Sequence, residues 1–405
     1  MARTGSFINA PDEAAHIGYV RALAVGKRLP ARNDPNFATY QWHQPPAYYA
    51  IVSGVYREGL VPMRGVSIAM AVLSLWSIWS AARLLWPDRP KVHLLALLIP
   101  ALTPMRQATL ASVGNDAGAE MMVSLGLYAL LLIVLRGLTY PRLIGISLLM
   151  ALGLLTKVNT MLLWPVALGA IWYAARDVAL ARRIGVTLIP VCAALIIAAP
   201  WLRHNLVHYG QPLPLRAFQD EFAHTSRAAD WIGKRDLRVD LWSGDLRPGM
   251  TMTAIDYQTL VVNWTARTFV AAFTPPSLQS IGVPRFLEPP AYVVYYALLV
   301  TGLIAGAYQW SRRPALTQGY RASFALLAAL LLLVVLSFVG FTQTYFQAQG
   351  RYLYPAILPV SFIWALGIDG ITPPRYQTIV LLLLGLVLMA LSVAFLFIYV
   401  APSYR

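Results

Sequence analysis

Gln377–Val400 reads QTIVLLLLGLVLMALSVAFLFIYV, without one charged side chain. A helix crossing the hydrocarbon core of a bilayer needs about 20 mostly apolar residues, and this stretch meets that length. Working outward from it, comparable apolar runs lie near 65–86, 92–111, 117–136, 142–156, 161–175, 184–201, 291–310, 322–341 and 352–370. The runs 142–156 and 161–175 are short, as expected of tilted, kinked or partly inserted helices. Composition agrees with this pattern. Hydrophobic residues make up 58% of the 405 and charged residues 12%, about half the roughly 25% charged fraction of an average soluble domain. The mean hydropathy is +0.59. So few polar residues do not cover the surface of a soluble protein this size, which excludes an ordinary cytosolic enzyme and a disordered chain. The expected fold class is an all-α polytopic membrane protein of about ten transmembrane helices.

The net charge of +15, from 32 Lys and Arg against 17 Asp and Glu, is concentrated in the breaks between apolar runs. One set of connections is short and basic: Pro87–Lys91 (PDRPK), Arg136–Arg142 (RGLTYPR), Arg176–Arg183 (RDVALARR), Ser311–Arg321 (SRRPALTQGYR) and Gly370–Tyr376 (GITPPRY). The other set holds residues 1–64, the breaks near Asn115 and Lys157, the long loop 202–290 and the turn at Gly350. The positive-inside rule makes the first set cytoplasmic and the second extracytoplasmic. The excess cations therefore read as topology determinants facing membrane lipid, not as a nucleic-acid surface. Ten spans place the amino terminus outside, yet residues 1–45 contain no signal peptide or preceding apolar helix. This favours a chain that begins inside a longer reading frame encoding one more helix. Cys192 is the single cysteine, so internal disulfides and cysteine-based metal centres are excluded.

The organisation that follows is a first extracytoplasmic loop over 1–64, transmembrane helices over 65–201, a large extracytoplasmic loop over 202–290 and C-terminal transmembrane helices over 291–405. In the first loop, Pro45-Pro46 opens a short aromatic helix over Ala47–Tyr56. In the second, Tyr257–Phe273 (YQTLVVNWTARTFVAAF) has the character of a helix lying along the interface.

Chemistry-bearing residues gather in the outer set. In PDEAAH, Pro11 fits the first position of a helix, Asp12 and Glu13 then sit in the positive end of its dipole, and Asp12 and His16 share a face at i, i+4. A charged first turn that merely caps the helix accounts for the same residues. Asn115-Asp116 opens the third span, either as a cap or as a functional pair. Glu120 lies one turn further along, where a carboxylate costs about 2.5–3.5 kcal/mol on insertion scales and has to face protein or water. Lys157, Arg203 and Arg351 are cations on the outer side, against the prevailing bias. They either snorkel to headgroups or bind an anion such as a phosphate. His43 and Gln44 precede the proline pair, where a histidine beside Trp42 is more often a packed residue than a ligand. His204 and His208 have i, i+4 spacing but no glutamate between them, unlike a zinc protease helix. No phosphate-cradling glycine loop and no Asp-x-Asp pair is present. An activated donor outside the cell then has to arrive through the membrane, and a lipid phosphate is the natural carrier.

Taken together, PDEAAHIGYVRALAVGKRLP, HQPPAYYAI, SVGNDA, LLTKVNTMLLWP and QGRYLYPAILP, in that order from Pro11 to Pro359, resemble the GT-C integral-membrane glycosyltransferases, in particular the dolichyl- or polyprenyl-phosphate-mannose-type protein mannosyltransferases and their bacterial relatives. The resemblance implies a helix bundle and a polyprenyl-phosphate-linked sugar donor. The acceptor is unspecified: protein, lipid or envelope glycan. It further implies that Asp12 is the general base with Glu13 beside it, that Asp116 is a second acidic position, and that Arg351, with Lys157 and Arg203, binds the donor phosphate. His16, His43, Gln44, Asn115 and Tyr352 are the accompanying substrate-binding candidates. A divalent metal, Mg or Mn, is admitted but not demanded. Many relatives carry lysine where Gln44 stands, so Lys157, Arg203 or Arg351 has to supply more of the charge. Many also extend into a soluble C-terminal domain, whereas this sequence ends at Arg405, just past the last span. The implied setting is a bacterial inner or plasma membrane with the site on the extracytoplasmic side. The rival reading is a transporter or lipid flippase without transferase chemistry.

Overall fold

The computed structural model describes residues 12–397 apart from 33, 38, 224–226, 234–237, 240–245, 248–250, 274–284, 287–288, 312–316 and 396. In chain order the helices are α1 (Glu13–Ala24), α2 (Ala47–Ser53), α3 (Leu60–Leu85), α4 (Pro90–Leu102), α5 (Pro104–Leu110), α6 (Asp116–Arg136), α7 (Tyr140–Thr156), α8 (Leu163–Ala174), α9 (Leu180–Tyr209), α10 (Leu215–Glu221), α11 (Ala228–Trp231), α12 (Ala254–Val270), α13 (Pro289–Ser311), α14 (Gln318–Thr344), α15 (Ile357–Ile371) and α16 (Gln377–Ala394). The only strands among the described residues are two antiparallel two-residue pairs. In one, Arg238 and Val239 face Arg247 and Leu246; in the other, Ala272 and Phe273 face Phe286 and Arg285.

Among the described residues, seven helices are long and apolar enough to cross a membrane, and three shorter apolar ones cover Pro90–Leu102, Tyr140–Thr156 and Val158–Ala174. The chain is an integral membrane protein. Its lipid requirement is plain on α16, where Leu382, Leu383 and Leu386 are each more than half exposed. In water each such side chain would forgo about 1.5–3 kcal/mol of burial free energy. The expected span 92–111 is in fact two helices. Pro104 has no N–H to donate and disfavours helical backbone before it, so the chain breaks at Thr103. The freed carbonyls are met locally: Thr103 Oγ1 donates to Ile99 O at 2.6 Å, and the Arg106 guanidinium donates to Pro100 O. The expected span 377–400 is helical over Gln377–Ala394, and its last residues lie outside the described ones. The aromatic helix after the proline pair ends at Ser53, three residues earlier than the sequence implied.

The helices fall into two compact units. The first comprises 1–88, 108–223 and 314–330; the second comprises 89–107, 224–313 and 331–405. In the first, α6 packs against α3, α7 and α8, and α7 packs against α9. Glycine at position 137, with φ +83°, ends α6 at the basic connection to α7, and Gly210, at φ +69°, ends α9. Glu120 faces protein. It is 1% exposed and its Oε1 accepts from Ser74 Oγ at 2.6 Å, with Ser124 Oγ 3.2 Å from Ser74 Oγ. The start of α3, the start of α6 and the end of α7 lie at the same end of this unit, because Glu13 and Gln44 meet the first two and Asn115, just before α6, donates to Thr156 O at the end of α7. The basic connections 136–142 and 176–183 follow at the opposite helix ends.

In the second unit, α13 and α15 run in close contact through Gly302, Gly306 and Gly367, where a Cβ on Gly367 would collide with the Gly302 carbonyl. The amphipathic helix α12 is opened by a reciprocal cap. Thr253 Oγ1 accepts from Asp256 N at 3.1 Å while the Asp256 carboxylate accepts from Thr253 N at 2.9 Å. One face of α12 buries Tyr257, Leu260 and Val261; Ile255 and Val262 are exposed on it.

Candidate active site

The acidic motif lies at the entry to α1. Pro11 falls outside the described residues. Asp12 is the residue before the helix, not part of its first turn, and has left-handed backbone at φ +68°. That conformation is uncommon for a non-glycine residue, although aspartate tolerates it better than most. The Asp12 carboxylate does not cap α1. Its Oδ1 instead accepts from the Tyr40 hydroxyl at 2.7 Å. Glu13 behaves differently. Its side chain is fully buried, and Arg64 at the start of α3 donates to both oxygens, Nε to Oε1 at 2.9 Å and Nη2 to Oε2 at 2.7 Å. Val113 N–H adds a third donor at 2.8 Å. Glu13 therefore ties α1 to α3 and to the loop before α6.

His16 is 4% exposed, and its Nδ1 lies 2.7 Å from the Tyr49 hydroxyl. Tyr49 stacks on Tyr19 with ring centroids 4.0 Å apart. Burial pushes the phenols of Tyr19 and Tyr49 well above the usual range and that of Tyr48 up to about 12. These rings stay neutral and act as packing and hydrogen-bonding groups. Tyr48 Oη accepts from Gly114 N at 2.8 Å, fixing the loop that opens α6.

Beside them runs a chain of oriented amides. His43 Nδ1 lies 3.0 Å from Tyr40 O, and since a carbonyl only accepts, this nitrogen carries the proton. His43 Nε2 is then an acceptor for Gln44 Nε2 at 2.9 Å. Gln44 Oε1 in turn accepts from Asn115 Nδ2 at 2.9 Å, and the same Nδ2 lies 3.1 Å from Thr156 O. Burial, helped by the charge of Lys157 and opposed by the Tyr40 hydrogen bond, pulls the His43 pKa down to about 4. The imidazole is neutral, as the hydrogen-bond pattern requires. The next residue, Asp116, accepts from Lys157 Nζ at 2.6 Å. This pair is about 15% exposed on each side. Tertiary structure thus gathers Asp12, Glu13, His16, His43, Gln44, Asn115, Asp116 and Lys157 at one end of the first unit. Arg203, in the same unit, is exposed on α9.

Arg351 and Tyr352 belong to the second unit, in the 3₁₀ segment Gly350–Ala356. That segment is strapped to α12: Gly350 N donates to Thr268 Oγ1 at 2.8 Å and Tyr354 Oη to Phe269 O at 3.0 Å. A Cβ at Gly350 would overlap the Phe269 backbone, which is why glycine stands there. The Arg351 guanidinium lies 5.5 Å from the Tyr352 ring centroid, and Tyr352 packs on Phe341.

Sequence reasoning missed Arg64, Tyr40 and the aromatic pair Phe218 and Phe222. Arg64 carried a usable signal, being a fourth cation at the outer end of a span. A divalent metal fits this donor set poorly. Asp116 already carries the Lys157 ammonium and Glu13 the Arg64 guanidinium, and among the described residues no three His, Cys, Asp or Glu side chains converge.

Residues 43–204 match the family described as dolichyl-phosphate-mannose-protein mannosyltransferase. No curated protein matches the sequence. Among solved structures, ArnT from Cupriavidus metallidurans in the apo state is similar at TM-score 0.54 and 14% identity, over 92% of this chain and 58% of that one. ArnT bound to undecaprenyl phosphate is similar at TM-score 0.55 and 16% identity, over 93% of this chain and 59% of that one. The Archaeoglobus fulgidus oligosaccharyltransferase, in complex with Zn and sulfate, is similar at TM-score 0.55 and 13% identity, over 96% of this chain and 49% of that one. The chain spans half to three fifths of the length of these structures.

Proposed function

We propose, from the premise that this chain has the GT-C fold of membrane glycosyltransferases, that it moves a sugar from a polyprenyl-phosphate donor to an acceptor on the extracytoplasmic side of a bacterial inner or plasma membrane. The observation that carries the reading is the convergence of Asp12, the His43–Gln44–Asn115 chain and the Asp116–Lys157 pair at one end of the first unit. Most of these residues fall in the segment that matches the mannosyltransferase family.

Asp12 is the general base. Its Oδ1 accepts from the Tyr40 hydroxyl, and an ionised carboxylate, with about four lone-pair sites, is suited to take the proton of an incoming nucleophile. As that proton passes to Asp12, the acceptor oxygen or nitrogen bonds to the anomeric carbon, and the bond from that carbon to the phosphate oxygen breaks. Polyprenyl phosphate leaves with the electron pair. A phosphate is stable as an anion, so the leaving group needs no proton, and direct displacement inverts the anomeric centre. Lys157 stabilises the charge growing on the phosphate oxygens as a point charge; Arg351 is carried over from the family resemblance as a donor-phosphate residue, a role its planar fork suits. Arg203 is an auxiliary cation for the same anion. Asp116 holds the Lys157 ammonium, Glu13 is a positioning residue behind Asp12, and Gln44, His43 and Asn115 supply neutral hydrogen-bonding groups. His16 supports the wall behind them, and Tyr352 backs Arg351. No step requires a metal.

The test is purified protein with a panel of polyprenyl-phosphate sugars. Asp12→Asn is expected to abolish turnover with folding intact, and Arg351→Ala to raise the donor KM. Near-normal turnover in Asp12→Asn removes Asp12 as the base, and movement of lipid without sugar transfer replaces the enzyme by a transporter.

A further inference from the structure

The short helix α10 follows the long α9 and brings two rings back onto the segment 40–43. Phe218 lies 4.9 Å from the His43 ring and Phe222 6.0 Å from it, both edge-on. Phe222 also meets the Tyr40 ring edge-on at 6.0 Å, and the two phenylalanines touch at 4.7 Å. Arg32 anchors the helix from the other side, its Nε donating to Glu221 Oε2 at 3.1 Å. The sequence pattern gave Phe218 and Phe222 no role, and the chemistry set out above does not use these two rings.

A cluster that served only to pack a helix would be covered, as Tyr19, Tyr48 and Tyr49 are at 0–1% exposure. This one is not. Tyr40 is 37% exposed, and His43, Phe218 and Phe222 are half-buried. It is also interleaved with polar groups. The Tyr40 hydroxyl contacts Asp12, and His43 joins Gln44 and Asn115. Two buried polar atoms in the same neighbourhood, Trp42 Nε1 and Asn115 Oδ1, have no hydrogen-bond partner among the described residues. Aromatic surface with a few hydrogen-bonding atoms is the makeup of a small-molecule subsite. An isoprenoid chain would use the rings and waste the polar atoms. A pyranose uses both, laying its C–H face on the rings and its hydroxyls toward the polar groups.

We propose that Phe218 of α10 and Phe222, the residue just after it, with Tyr40 and His43, form the wall against which the transferred pyranose stacks, and so set sugar specificity. This rests on the glycosyltransferase reading and names the subsite within it. Loss of one stacking ring weakens binding by about two- to tenfold, given that such ring contacts are worth about 0.5–1.5 kcal/mol.

The experiment uses the full chain. In transfer assays with polyprenyl-phosphate hexoses and pentoses, Phe218→Ala and Phe222→Ala are expected to raise the donor KM about two- to tenfold, while inhibition by bare undecaprenyl phosphate stays unchanged. Phe218→Tyr and Phe222→Tyr are expected to restore the wild-type KM. Equal weakening of donor and bare lipid phosphate would assign the wall to the isoprenoid and overturn the proposal, as would no weakening of either. If wild-type protein transfers no sugar at all, the glycosyltransferase reading fails by itself. The wall is then judged by saturation-transfer NMR with methyl hexopyranosides and pentopyranosides. Saturation of C–H protons that is lost in the alanine variants upholds it, and no saturation with wild-type protein overturns it.

Discussion

His43 shows how much a single side chain inherits from its surroundings. Burial and the nearby Lys157 charge pull its pKa from 6.5 to about 4 in the fold, while the Tyr40 carbonyl partly offsets them. Between those two values the unfolded chain binds a proton that the folded chain refuses. Stability therefore falls as pH drops through that window, by up to about 3 kcal/mol from this one imidazole. Protonation also turns Nε2 into a donor and breaks its bond from Gln44. The apparent melting temperature of wild-type protein is expected to decline more steeply between pH 6.5 and 4 than that of His43→Gln, and parallel curves would remove His43 from the account. None of this is legible in a histidine beside a tryptophan, where a packed residue is the commoner reading. Packed it is, but as one link in a chain of oriented amides, and the links stand 71 positions apart between Gln44 and Asn115.

At the level of elements, Glu13 and Arg64 fasten α1 to α3. Two adjacent carboxylates in one motif look alike in sequence, yet Asp12 meets a hydroxyl and Glu13 meets a guanidinium and a backbone N–H. The difference follows from direction: left-handed backbone at Asp12 sets its side chain apart from the helix that Glu13 begins. Arg64→Met leaves a buried carboxylate without its counter-charge, at a cost of roughly 3–5 kcal/mol. A marked fall in thermal stability in detergent is expected, with partial recovery in the double variant Glu13→Gln, Arg64→Met, because a neutral amide no longer needs the cation. A fall that persists undiminished in the double variant would mean that Arg64 acts through its other packing. The break of α4 from α5 at Pro104 is likewise a local rule overriding an apolar pattern: hydropathy alone ran the two together.

At the scale of the whole molecule, the alternation of basic and non-basic connections makes a prediction that a sulfhydryl reagent checks. With Cys192 replaced by serine, single cysteines at positions 12 and 351 are expected to react with a membrane-impermeant maleimide from one side, and a cysteine at 179 from the other. Opposite-side labelling of 12 and 351 would dismantle the proposed donor site. The sequence by itself determined the solvent, because a chain with 12% charged residues has to face lipid. It also determined the approximate positions of the apolar helices, since about 20 residues span a bilayer. Only tertiary structure decided that Glu13 meets a guanidinium while Asp12 meets the Tyr40 hydroxyl, that Lys157 is paired with Asp116, and that the chain at α10 returns its rings to His43. Those partners are chosen by helices that meet across 28 to 179 positions of sequence, a distance over which periodicity and hydropathy carry no information.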